Sequence, residues 1–61
     1  MLNDGEAERK ARIAALYEEI DSISYANNLY WKQPSAGAKA EYYLRQDRLE
    51  DIWRELTELT K

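Results

Sequence analysis

Bulky residues recur along this chain at alternating three- and four-residue intervals, in two runs. The first comprises Ile13, Leu16, Ile20, Ile23, Asn27 and Tyr30; the second comprises Tyr42, Arg45, Leu49, Ile52, Leu56 and Leu59. That spacing keeps every member of a run on one side of an α-helix. Asn27 and Arg45 are the polar intruders. Between the runs, Pro34 biases Gln33 away from helical geometry, and Ser35 stands where a helix N-cap belongs. The pattern predicts an all-α chain: a single helical-hairpin domain over 1–61, with helix one over about 6–31, a turn over about 32–35 and helix two over about 36–60.

Local signals refine these limits. Met1 to Gly5 lack periodicity and are expected to fray, with Asn3 or Asp4 able to cap the helix that follows. Glu6 and Glu8 would lie in its first turn, where the helix dipole favours negative charge. Glu6 with Lys10, Glu8 with Arg12, Glu41 with Arg45 and Glu50 with Arg54 stand four apart in the favourable order, each pair contributing ~0.2–0.5 kcal/mol. Asn27-Asn28 offers an alternative stop for helix one, because Asn is a poor interior residue and a fair terminator. Continuation to Trp31 is preferred, since it keeps Tyr30 on the stripe and leaves a short connection. Gly37 weakens the first turn of helix two slightly, and Thr60 and Lys61 are expected to fray.

A short connection makes the helices antiparallel. Ile13 then faces the level of Leu59, Leu16 that of Leu56, Ile20 that of Ile52, and Ile23 that of Leu49. Nearer the turn, Asn27 meets the level of Arg45 and Tyr30 that of Tyr42. Asn27 and Arg45 either form a polar layer that fixes register or lie where the helices splay and both reach water. The splayed arrangement is the expectation.

The flanks of the stripe differ. Tyr17, Trp31 and Trp53 lie beside it on one side; Arg12, Glu19, Glu41, Arg48 and Glu55 lie on the other. A two-helix hairpin has no third wall to cover the aromatics, each of which would bury ~150–250 Å² if covered. A widened apolar face is what a four-helix bundle requires. The expectation is therefore a homodimer whose interface includes Tyr17, Trp31 and Trp53. Tyr25, Leu29, Tyr43 and Leu44 are off the stripe near the turn, and form a candidate surface for a larger protein partner.

Composition narrows the chemistry. A chain of 61 residues buries only ~60% of its unfolded surface and is marginal on its own. With neither cysteine nor histidine, it lacks disulfides and zinc ligands of nitrogen or sulfur type. Association is the remaining way to complete a core. Without histidine, neither the usual general base nor the Glu-x-x-His element of bundle metal sites is available. Gly5 and Gly37 are isolated, so there is no phosphate loop. No catalytic residue, metal or cofactor is expected.

The net charge of −3 arises from nine basic and twelve acidic residues mixed along the chain. That balance disfavours nucleic acid and anionic membranes as partners. Lys32, Lys39, Arg45 and Arg48, near Tyr42 and Tyr43, are the alternative nucleic-acid contacts, since cations and aromatics together hold phosphates and stack bases. Glu41 and Asp47 interrupt them. The longest apolar run, Ile13 to Tyr17, is far short of the ~20 residues that span a bilayer, and no signal-peptide apolar region follows Met1. The sequence thus points to a cytoplasmic, non-enzymatic protein-interaction or adaptor module, with a small RNA- or DNA-binding regulator as the alternative.

Overall fold

The computed structural model describes Asn3–Lys61, with side chains from Gly5 onward. Two helices, α1 (Asn3–Lys32) and α2 (Ala36–Leu59), are joined by residues 33–35 and fold back on each other as an antiparallel hairpin. Helix α1 starts three residues earlier than the sequence pattern suggests, taking Gly5 into its first turns. The proposed Asn3 and Asp4 caps involve side chains outside the described residues. At the other end α1 passes through Asn27-Asn28 without interruption. Its last turn is closed by the Gln33 amide, which donates to the Leu29 carbonyl at 3.1 Å. Lys32 sits in that turn, where a cation suits the helix dipole.

Helix α2 begins as its local sequence dictates. Ser35 is extended, with φ −144° and ψ 156°, and its Oγ accepts from the Ala38 amide at 3.2 Å. This satisfies one of the donors that every helix start leaves unpaired. Helix α2 ends at Leu59, one residue short of the expected limit, with Thr60 and Lys61 outside it and Thr60 as its cap. The Thr60 amide and hydroxyl both donate to the Leu56 carbonyl, at 3.0 and 2.8 Å. Arg9 reaches across from α1 and donates through Nη1 to the Leu59 carbonyl at 3.1 Å, placing a cation at the negative end of α2.

The seam between the helices holds the core. Leu16 and Ile52 are fully buried and Ile23 and Leu56 nearly so, with Ile13, Ile20, Leu49 and Leu59 packed against them at its margins. Closer to the turn the expected levels are met side chain to side chain: Arg45 bonds Asn27, and Tyr42 stacks on Tyr30. The molecule is a rod of 51 × 16 × 14 Å, one helix layer deep. Among the described residues there is no cavity, and no helix is long and apolar enough to cross a membrane.

Candidate interaction surfaces

Three zones surround the seam. The first is the polar flank, which bidentate ion pairs close. Arg12 donates through Nε and Nη2 to the Glu55 carboxylate, the Nη2 bond measuring 2.8 Å. Arg48 does the same to Glu19, again with a 2.8 Å Nη2 bond. Hydrogen bonding from the arginines holds both carboxyls below the ordinary glutamate range, and the same bonds raise both guanidinium groups. The pairs span the hairpin because the antiparallel register places positions 12 and 55, and 19 and 48, on adjacent edges of the two helices.

These bridges redirect the cations. Arg12 goes to Glu55 rather than to Glu8, Arg45 to Asn27 rather than to Glu41, and Arg54 to Asp51 rather than to Glu50. Glu6 pairs with Arg9 rather than Lys10. Arg12 and Arg45 thus leave their expected partners for contacts across the seam, and Arg12 forms two parallel bonds to a carboxylate there, against the few tenths of a kcal/mol of a pair within one helix. Arg9 and Arg54 instead take carboxylates three residues away on their own helix.

The second zone is the polar layer. Arg45 donates through Nε to Asn27 Oδ1 at 2.7 Å, and Asn27 Nδ2 donates to Gln46 Oε1 at 3.2 Å. Asn27 and Arg45 are half-buried. The splayed arrangement expected of this level is thus corrected: the helices stay close enough for the side chains to bond each other, and Gln46 joins them. Asn27 is long enough to reach the guanidinium but too short to push the helices apart.

Toward the turn the layer gives way to an aromatic ladder. Tyr30 and Tyr42 stack with centroids 5.0 Å apart and planes at 18°. Trp31 presents an edge to both, at 5.2 and 5.4 Å, and Tyr43 packs edge-on against Tyr42 at 5.7 Å. Lys39 Nζ lies 6.0 Å above the Tyr43 ring. Trp31 therefore belongs to the ladder as well as to the aromatic flank, and even so 61% of it is exposed.

The third zone is apolar and uncovered. On the aromatic flank Tyr17 and Trp53 are each about half exposed, and nothing in the hairpin shields their outer faces. Near the turn Tyr25, Leu29, Tyr43 and Leu44 are likewise exposed. They do not share one face. The helical period places Tyr43 on the Trp53 side of α2 and Leu44 on the Arg48 side; Leu29 lies beside Glu19's edge of α1, and Tyr25 points away from the seam. These residues ring the turn end instead of forming a flat patch.

Of the basic residues that would serve a nucleic acid, Arg45 and Arg48 are engaged by Asn27 and Glu19, while Lys39 and Lys32 stand at the turn end. The cross-seam ion pairs were the feature least visible in the sequence. Their signal was the alternation of sign on one edge, which becomes legible once the antiparallel register is known. No family model matches the chain, and no curated protein or solved structure does either.

Proposed function

We propose that the chain is a non-enzymatic protein-interaction module of the cytoplasm that works as a homodimer. Its aromatic flank, Tyr17, Trp31 and Trp53, meets a second copy, and its turn end presents Tyr25, Leu29, Tyr43 and Leu44 to a larger protein. One observation carries this reading. Among the described residues, seven large apolar or aromatic side chains are exposed, whereas four are buried in the core. Isolated exposed apolar residues are ordinary, but such a set on one small rod is the mark of a surface that other proteins cover. Tyr and Trp supply much of the energy at such contacts.

Sedimentation equilibrium from low to high micromolar concentration tests the assembly. A monomer throughout that range would remove the dimer from the proposal. The turn end is tested by comparing proteins retained by the wild type with those retained by a Tyr25→Ala, Leu29→Ala, Tyr43→Ala variant. Partners lost only in the variant would support a turn-end contact, and identical sets would exclude it.

A second reading, RNA or DNA binding at the turn end, draws on Lys39 over Tyr43 with Lys32 nearby. Of its four cations, Lys32 and Lys39 have no ion pair among the described residues, whereas Arg45 and Arg48 are engaged. Retention of a mixed RNA pool that falls steeply between two salt concentrations would support it; salt-insensitive or absent retention would dismiss it.

A further inference from the structure

We infer that the aromatic flank takes, in place of the second copy, a basic amphipathic helix from another protein. This rests on the proposed reading of that flank as a contact face and adds a second occupant for it.

The register sets what such an occupant meets. Arg45 bonds Asn27 and Tyr42 stacks on Tyr30, which places Trp53 level with Tyr17 and Gln46 level with Ser24. Nearer the turn, Trp31 and Tyr43 stand close to one level. The helical period puts these six residues on the same side of the rod. They form a shallow trough between the helices, with an aromatic pair toward each end and polar side chains between. The aromatic pairs lie about 18 Å apart, or about twelve residues of helix.

Both edges of the trough are acidic at its middle. Asp21 borders it on α1 and Glu50 on α2, level to within about one residue, and Glu18 and Asp47 stand just outside them. All four are exposed, and none has an ion pair among the described residues. The chain does little to neutralise them. Helix α1 carries no base between Arg12 and Lys32. On α2, Arg45, Arg48 and Arg54 are held by Asn27, Glu19 and Asp51. Lys10 and Lys39 share the flank but lie at its two ends.

This charge pattern selects among occupants. A second copy would bring its own four carboxylates, with only the single lysines at either end to set against them. A nucleic acid or an anionic membrane would bring more negative charge to the same place. A helix with an apolar stripe edged by Lys or Arg meets both features at once. Its stripe covers Tyr17, Trp53, Trp31 and Tyr43, while its cations face Asp21 and Glu50 across the middle. Complementary charge of this kind favours the matching partner and penalises like-charged ones, and an apolar stripe laid in a groove is a common way for one helix to dock on others. Spanning both aromatic pairs takes about four turns.

Both tryptophans of the chain are on this flank, so their emission reports its covering by a peptide that lacks aromatic residues. Two synthetic helical peptides of about 18 residues serve as probes, sharing one leucine stripe and edged by Lys in one and by Glu in the other. At low salt the Lys peptide should bind roughly tenfold or more tighter than the Glu peptide and shift the emission to the blue; most of that advantage should vanish at about 0.3 M salt. Sedimentation of the mixture should show one chain with one peptide. Asp21→Asn with Glu50→Gln should weaken the Lys peptide about fivefold or more, whereas Glu8→Gln with Glu41→Gln should change it less than about twofold. The second pair removes the same charge from the other side of the rod, and circular dichroism checks that both variants keep their helicity.

Equal affinity for the two peptides, equal losses in the two variants, or a peptide bound to an intact dimer would overturn the inference. The dimer reading fails separately. A chain that stays monomeric on its own removes the second copy, yet the basic-helix occupant stands if that monomer binds the Lys peptide with the expected emission shift. A dimer indifferent to both peptides overturns the basic-helix occupant alone, and a monomer indifferent to both overturns the two together.

Discussion

Replacing Asn27 and Arg45 by leucine, singly and together, measures what the polar layer contributes. The Arg45 Nε bond to Asn27 Oδ1 is 2.7 Å long and has a charged donor; such bonds contribute ~1.5–3 kcal/mol when well buried. Both side chains here are half-buried, so water competes for each partner and the coupling should fall to about 1–1.5 kcal/mol. Asn27→Leu loses this bond and the one to Gln46, but the new side chain buries apolar area at the seam, and the net change should stay within about 1 kcal/mol. The double variant turns the level into an aliphatic layer and should exceed the wild type by ~1–2 kcal/mol, as other polar layers do when replaced by packed apolar residues. For 61 residues the total stability is of order 3–9 kcal/mol, so that gain is a large fraction. Urea denaturation followed by circular dichroism, with all four proteins at one concentration, gives the cycle. The concentration must be fixed because the proposed dimerisation would feed into apparent stability. If the single changes add to the double within ~0.3 kcal/mol, the two side chains act independently and the layer is merely solvated. A double variant that gains stability yet assembles in more than one state would show that the layer specifies register.

Three further outcomes are expected. Ile52→Ala empties a fully buried site in a core of four residues, at a cost of ~2–5 kcal/mol; thermal melts should show the hairpin largely unfolded or shifted down by more than 10 °C, and a shift of only a few degrees would mean the seam is not the core. Gly37→Ala should stabilise by ~0.4–1 kcal/mol, because a Cβ there meets nothing within 4 Å and the residue has no positive φ; a loss in urea denaturation would contradict that open helical site. The Glu19 and Glu55 carboxyls titrate below their ordinary value of 4.5 in the folded hairpin. Their contribution is therefore complete above about pH 4.5 and lost as pH falls through the depressed values. Wild type should exceed a Glu19→Gln, Glu55→Gln variant in thermal midpoint at pH 7, with the gap closing toward pH 2; a gap independent of pH would show that the ion pairs contribute nothing.

The seam was the most legible part of the molecule. Its spacing predicted the levels at which Tyr30 meets Tyr42 and Asn27 meets Arg45, because the helical period and a short antiparallel turn leave few registers that bury Leu16 and Ile52 together. Ser35 was readable as a cap for the same local reason. Three features were less readable. The ion pairs of Arg12 and Arg48 depend on positions 43 and 29 residues distant, and nothing within either helix distinguishes them from solvated charges. The fate of Asn27 depended on how closely the helices approach, a tertiary quantity. The scatter of Tyr25, Leu29, Tyr43 and Leu44 around the turn end arises because one residue of offset rotates a side chain by about 100°, so neighbours in sequence such as Tyr43 and Leu44 end on opposite sides.

The stack of Tyr30 on Tyr42 also bears on the order in which the chain folds. These rings cross the seam about 12 residues apart in sequence, whereas Ile13 and Leu59 at the open end are about 46 apart. Closing the shorter loop costs about 1.2 kcal/mol less entropy than closing the longer, so contacts should nucleate at the turn and spread outward. Substitutions at Tyr30 or Tyr42 should then slow folding, while those at Leu16 or Leu56 should mainly speed unfolding. On this view the rings at the turn act as the pin of a hinge: once it is set, the aliphatic residues only have to swing together.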